Sequence, residues 1–97
     1  MTPTGTNRRG PARGDGRARL LLFATARTAV GARTLSWPVP AEGATVGEVL
    51  AGLARAHPSV APILPHCRYF LDNEAVGVNA RVRPDSELAI HPPYGGG

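Results

Sequence analysis

Thr45-Val46-Gly47-Glu48 opens a helix, and the rest of the chain has to be arranged around it. The spacing is that of a capping box. The Thr45 hydroxyl accepts from the backbone N–H of Glu48, and the Glu48 carboxylate accepts from the N–H of Thr45. Behind it Val46, Val49, Leu50, Leu53 and Ala54 fall on one helical face. Pro58 ends the helix and biases His57 out of the helical region. His57 is read as a solvated helix end, not a ligand. Gly47 and Gly52 each weaken the helix by roughly 1 kcal/mol against alanine. Gly52 offers in return a place where a sheet can approach closely.

Strand signals flank this helix. Arg19 to Ala24, a leucine run closed by Phe23 and Ala24, reads as a central strand. Thr25 to Ala32 reads as a connection. Arg33 to Val39 alternates, with Leu35, Trp37 and Val39 on the apolar side, and Pro38 places that strand at a sheet edge or a bulge. The two strands form an antiparallel hairpin with a long loop. After the helix, Val60, Ile63 and Leu64 plug one end of the core in a proline-broken connection that holds a helical turn. Arg68 to Leu71 is a strand, Asp72-Asn73-Glu74 a turn, and Ala75 to Val78 a short strand. Val82 is a further apolar anchor, and Arg83-Pro84-Asp85-Ser86 is a turn. Glu87 to His91 is the last strand, with Leu88 and Ile90 inward. A single helix between a hairpin and later strands is an α+β pattern, a mixed sheet with the helix across one face. The last strand then pairs beside the first.

That last strand runs into Pro92-Pro93-Tyr94-Gly95-Gly96-Gly97. Each proline fixes φ and removes an N–H. The glycines have no side chains and fit a narrow tunnel in another protein. The ionisable group of this stretch is the α-carboxylate of Gly97. One reading is a functional tail: Gly97 reacts, Gly95 and Gly96 are threaded, and Phe70, Pro92, Pro93 and Tyr94 meet the partner. The other is a frayed glycine-rich end with no role.

Composition narrows the alternatives. Ninety-seven residues make one domain. The division expected is a disordered basic leader over 1–17, a folded domain over 18–93 and a flexible tail over 94–97. The net charge of +4 would suggest nucleic acid, but its distribution argues against it. Residues 1–17 carry four Arg against Asp15, and the remaining residues carry seven Arg against six acids. No apolar run is long enough to span a membrane. The apolar stretch after the Arg-rich leader is short for a secretion signal, and Arg27 follows it at once. The single cysteine, Cys67, makes no intramolecular disulfide and suits a reducing cytoplasm. It sits beside His66 with no third catalytic group evident, so it is read as a partly buried free thiol. His57, His66 and His91 lack metal-ligand spacing, and no phosphate-binding glycine motif precedes a helix. No metal, no stably bound cofactor and no catalysis by this chain alone are expected. All eleven basic residues are arginine, so an activated C-terminus would meet no lysine amine on its own chain.

Several segments together resemble the MoaD/ThiS family of ubiquitin-like sulfur carriers, within it most of all the molybdopterin synthase small-subunit branch. They are Arg19 to Ala24, the helix start from Thr45 to Leu53, Leu71-Asp72-Asn73-Glu74, Pro84 to Leu88, and Ile90 to Gly96. The resemblance covers residues 19–97 and is most specific at the tail. It implies a β-grasp fold. It implies that Gly97 is adenylated by a MoeB-like adenylyltransferase, which uses ATP, and receives sulfur from a donor protein to become a thiocarboxylate. In the molybdopterin branch the tail then enters a MoaE-like large subunit. Asp85-Ser86 stands where the family commonly has Gly-Asp, and Asp72 stands near a position that is usually Asn. Carriers for thiazole, cysteine or sulfur-containing natural products share the same tail, and ubiquitin-like protein modifiers are a further class.

Overall fold

The computed structural model describes residues 16–93. Strand β1, Arg17–Leu22, begins within the stretch read as leader: Arg17 pairs with Pro38, and its guanidinium Nε donates to Ser36 Oγ at 2.6 Å. Residues 17–22 alternate, with Ala18, Leu20 and Leu22 buried. The expected connection after β1 is instead a seven-residue helix, α1, Ala24–Val30. It starts at Phe23 without a side-chain cap. It ends at Gly31, whose φ of 87° lets its N–H reach Arg27 O at 2.7 Å. Burial of Ala26 holds it to the body. Strand β2, Thr34–Pro38, returns antiparallel to β1 as an edge strand, which is where Pro38 is tolerated.

A short strand β3, Ala44–Thr45, leads directly into α2, Val46–Ala56. The capping box is formed: Glu48 N donates to Thr45 Oγ1 at 3.0 Å, and Thr45 N donates to Glu48 Oε1 at 2.8 Å. Two further N–H groups of the first turn, which a helix leaves without partners, are taken by the backbone ahead of the last strand. Val46 N donates to Ala80 O at 2.8 Å and Gly47 N to Val78 O at 2.9 Å. The helix start is therefore fastened at four points. Thr45→Ala should lower stability by about 1 kcal/mol in chemical denaturation, with an unchanged denaturant slope.

After α2, two 3₁₀ turns, Pro58–Val60 and Leu64–His66, carry the chain back to the sheet with Val60 and Leu64 buried. Strand β4, Arg68–Leu71, pairs antiparallel with β5, Glu74–Val76. Their two-residue turn puts Asp72 and Asn73 at φ 49° and 71°, the left-handed pair that a tight hairpin demands and that Asp and Asn tolerate. Strand β6, Arg81–Val82, pairs with β3 in a separate two-stranded sheet. Strand β7, Glu87–His91, follows the Arg83–Ser86 turn. Asp85 occupies the left-handed region at φ 71°, so it serves where a glycine would serve more easily. Ser86 closes the turn by accepting from Arg83 N at 3.0 Å.

The main sheet has the order β2-β1-β7-β4-β5. As expected, the first and last strands pair, and they run parallel, Arg19 opposite Glu87 through Leu22 opposite Ile90. All other neighbours in this sheet are antiparallel. The inward residues of β1, β4 and β7 meet Val46, Val49, Leu50 and Leu53 of α2 in one core. A Cβ on Gly52 would lie 3.1 Å from the Trp37 ring, so Gly52 does permit close approach of helix and sheet. This is the β-grasp arrangement: one main helix gripped by a mixed sheet.

Candidate functional site at the exit of the last strand

Alternation along the strands gives the sheet a second face, turned away from α2. Its residues are brought together by register. Across the middle, Leu21 lies opposite Ala89, Ala89 opposite Phe70, and Phe70 opposite Ala75. This is an apolar row where simple alternation calls for polar residues. One step towards the chain's exit, Arg68 lies opposite His91. Phe23 has left the strand and reaches over the same end. Its ring stacks on the His91 imidazole, centroids 4.1 Å apart and planes 13° apart. Phe70 meets His91 edge-on at 5.2 Å and 84°. Such pairs contribute about 0.5–1.5 kcal/mol each beyond the area they bury.

An open groove of about 620 Å³ lies on this face. Phe23, Phe70, His91, Pro92 and Pro93 line it, with His66 and Arg68 at its rim. Phe23 is 39% exposed, unusual for so large an apolar side chain held in a fixed stack. A step the other way along the sheet the surface turns polar. There Arg19 Nη1 donates to Glu87 Oε2 at 3.2 Å, and Glu87 N donates to Asp72 Oδ1 at 3.0 Å. A second groove at that end, about 440 Å³, is bordered by Arg17, Arg19, Ser36 and Glu87, whose side chains already bond one another.

Of the residues expected at the site, Phe70, Pro92 and Pro93 do meet in the exit groove. Tyr94, Gly95, Gly96 and Gly97 lie outside the described residues. Sequence reasoning missed Phe23, read as part of the first strand, and His91, read as an outward polar position. The signal was present in Leu21 and Ala89. These are apolar residues at outward positions of strands whose inward positions were already apolar.

Cys67 is not part of the groove. Its Sγ is 3.3 Å from Ile63 O, and burial pushes the thiol up from its ordinary value. A nucleophile needs the opposite shift. Tyr69, whose hydroxyl donates to Leu64 O, is likewise pushed up, first by burial and then by Cys67. Among the described residues no three His, Cys, Asp or Glu side chains cluster as metal ligands, and no helix is long and apolar enough to cross a membrane.

This architecture has known counterparts. Small archaeal modifier protein 1 from Haloferax volcanii is 30% identical in sequence, with a TM-score of 0.72 over 84% of this chain and 100% of that one. Small archaeal modifier protein 1 from Methanosarcina acetivorans shares 21% identity, with a TM-score of 0.70 over 84% of this chain and 97% of that one. A putative molybdopterin converting factor, subunit 1, from Pyrococcus furiosus has the same fold at 15% identity, with a TM-score of 0.73 over 82% of this chain and 100% of that one. No curated protein sequence matches the chain. The ThiS family model matches residues 20–97, from the first buried leucine of β1 through the glycines after β7. The chain belongs to the ThiS family.

Proposed function

We propose that this chain is a sulfur carrier whose C-terminal Gly97 is adenylated and converted to a thiocarboxylate. We further propose that it serves molybdopterin synthesis as the small subunit beside a MoaE-like large subunit. The supporting observation is the path of β7. It is an interior strand of the sheet, clamped between β1 and β4, and it ends at Pro92-Pro93, which line an aromatic groove. Beyond Pro93 the sequence holds Tyr94 and three glycines.

The chemistry belongs to partners, and the chain supplies the acyl group. A MoeB-like adenylyltransferase uses ATP: the Gly97 carboxylate oxygen bonds the α-phosphorus and pyrophosphate leaves. A persulfide on the donor protein then forms the C–S bond as the C–O bond to AMP breaks. A second thiol attacks the donor-side sulfur of the resulting acyl disulfide, breaking its S–S bond to leave the thiocarboxylate on Gly97 and a disulfide on the donor. Gly95 and Gly96 pass through the enzyme's entry tunnel, where a Cβ would obstruct. Phe70, Pro92, Pro93 and Tyr94 lie against the partner's surface. Pro92 and Pro93 limit the freedom lost on docking. No group on the chain has to act as acid, base or metal ligand, which agrees with a half-buried Cys67 thiol whose burial disfavours the thiolate.

Intact-protein mass spectrometry after incubation with ATP, the adenylyltransferase and a sulfur source is the direct test. The expected result is a gain matching replacement of one oxygen by sulfur, confined to the peptide ending in Gly97. A large subunit that discharges this species and forms molybdopterin assigns the pathway. The likeness to small archaeal modifier protein 1 favours a second reading, isopeptide formation on other proteins. That reading gives higher-mass adducts on a blot. Because the sequence holds no lysine, the adducts would contain no copies of this chain linked through lysine.

A further inference from the structure

The exit groove carries the Arg68 guanidinium, and among the described residues no carboxylate lines it. Arg27 on α1 and Arg33 ahead of β2 are exposed at the same end of the sheet, where β1 and β7 finish. The six acids of the described residues do not line the groove. Asp72 and Glu74 flank Asn73, which borders the groove at the β4–β5 turn; Asp85 lies in the turn before β7 and Glu87 at its first position, Glu42 lies ahead of β3 and Glu48 in the first turn of α2. The nearest acids along the outer face, Glu87 and Asp72, are already engaged, by Arg19 and by the Glu87 backbone N–H. Arg68 is exposed, with no carboxylate partner among the described residues.

The reach of the tail forces contact with this surface. Four residues beyond Pro93 extend at most about 14 Å. An enzyme that acts on Gly97 must therefore bring its own surface against the groove from which the tail leaves. A surface that covers a cationic rim without answering charge has to desolvate it uncompensated.

We propose that the activating enzyme carries a carboxylate-bearing rim around its tail entry, enclosing an apolar projection that seats over the Phe23–His91–Phe70 cluster, and that Arg68 is the residue of this chain that selects for that rim. The inference rests on the carrier reading above and specifies its partner. The aromatic stack supplies the dry centre of the contact. Arg68 supplies approach rate and orientation, the usual contribution of charges at an interface edge.

The test measures pyrophosphate release by the MoeB-like adenylyltransferase of the same organism, with ATP saturating and the full chain varied. Arg68→Glu should raise the KM for the carrier about 10-fold at low ionic strength and leave kcat within about 2-fold. The gap should narrow as salt shortens the screening length. Arg68→Lys, which keeps the charge, should stay within about 3-fold of the parent. Arg55→Glu, on α2 across the sheet, should leave KM unchanged, and melting temperatures confirm that each variant is folded. An unchanged KM for Arg68→Glu overturns the proposal, as does an equal loss with Arg68→Lys, since shape and not charge would then be read. Absence of pyrophosphate release from the parent chain overturns the carrier reading and the acidic-rim proposal together.

Discussion

Deleting Gly96 and Gly97 should abolish activation and leave the domain intact. The carboxylate then sits on Gly95, two residues or about 7 Å short of the position the adenylyltransferase serves. Misplacement of a reacting group by even 1 Å costs on the order of 10²-fold. A loss of at least that size in ATP-dependent pyrophosphate release is expected, with no mass gain on incubation with a sulfur source. The melting temperature should not move, because among the described residues no residue of the core lies beyond Ile90. The truncated chain should still compete with the parent for the enzyme, since the exit groove is untouched. A truncated chain that keeps full function would instead mark the domain as a binding module with an inert tail.

The largest stability effect is expected at Gly43. It turns the chain between β2 and β3 at φ 90°, and it is buried. A Cβ built there would lie 2.8 Å from the Val82 carbonyl oxygen and 2.7 Å from Arg81 Cγ. The carbonyl belongs to the β3–β6 pair and cannot give way cheaply. Gly43→Val therefore combines about 1–2 kcal/mol for a left-handed residue with about 1–3 kcal/mol for overlap. A loss of about 3 kcal/mol in denaturant titration follows, or a melting temperature lower by about 15 °C for a domain of this size. Gly31 is the internal control. Its φ is 87°, yet nothing lies within 4 Å of where its Cβ would be. Gly31→Val should cost only the backbone share, so the difference between the two variants isolates the contact at Val82.

Much of this fold can be read in the sequence because its signals are local. The capping box, the alternation of Glu87 to His91 and the turn residues Asp72 and Asn73 each specify a conformation without reference to the rest of the chain. Helix α1 is different. It has no cap at Phe23, no acid in its first turn and a single buried residue, Ala26. Tertiary contact holds it, and no short-range pattern announces it. The exit groove was half legible. Phe70, Pro92 and Pro93 were found through nearness in sequence to strand ends and tail. Phe23 and His91 stand 68 positions apart, and only the parallel pairing of β1 with β7 stacks them. Arg17 was missed for a similar reason. Its partners Pro38 and Ser36 are supplied by β2, while its own surroundings in sequence read as leader.

The parallel pair has a mechanical consequence. Strand β1 enters the sheet at the end where β7 begins, and β7 leaves at the end where β1 finishes. Tension applied between the leader and the tail therefore slides the two central strands along each other. The ladder from Arg19–Glu87 to Leu22–Ile90 is loaded all at once and cannot be peeled open bond by bond. In the proposed role, a partner that pulls on the glycine tail while the leader is held would load this ladder in shear, so the body would stay folded as its end is drawn into an active site.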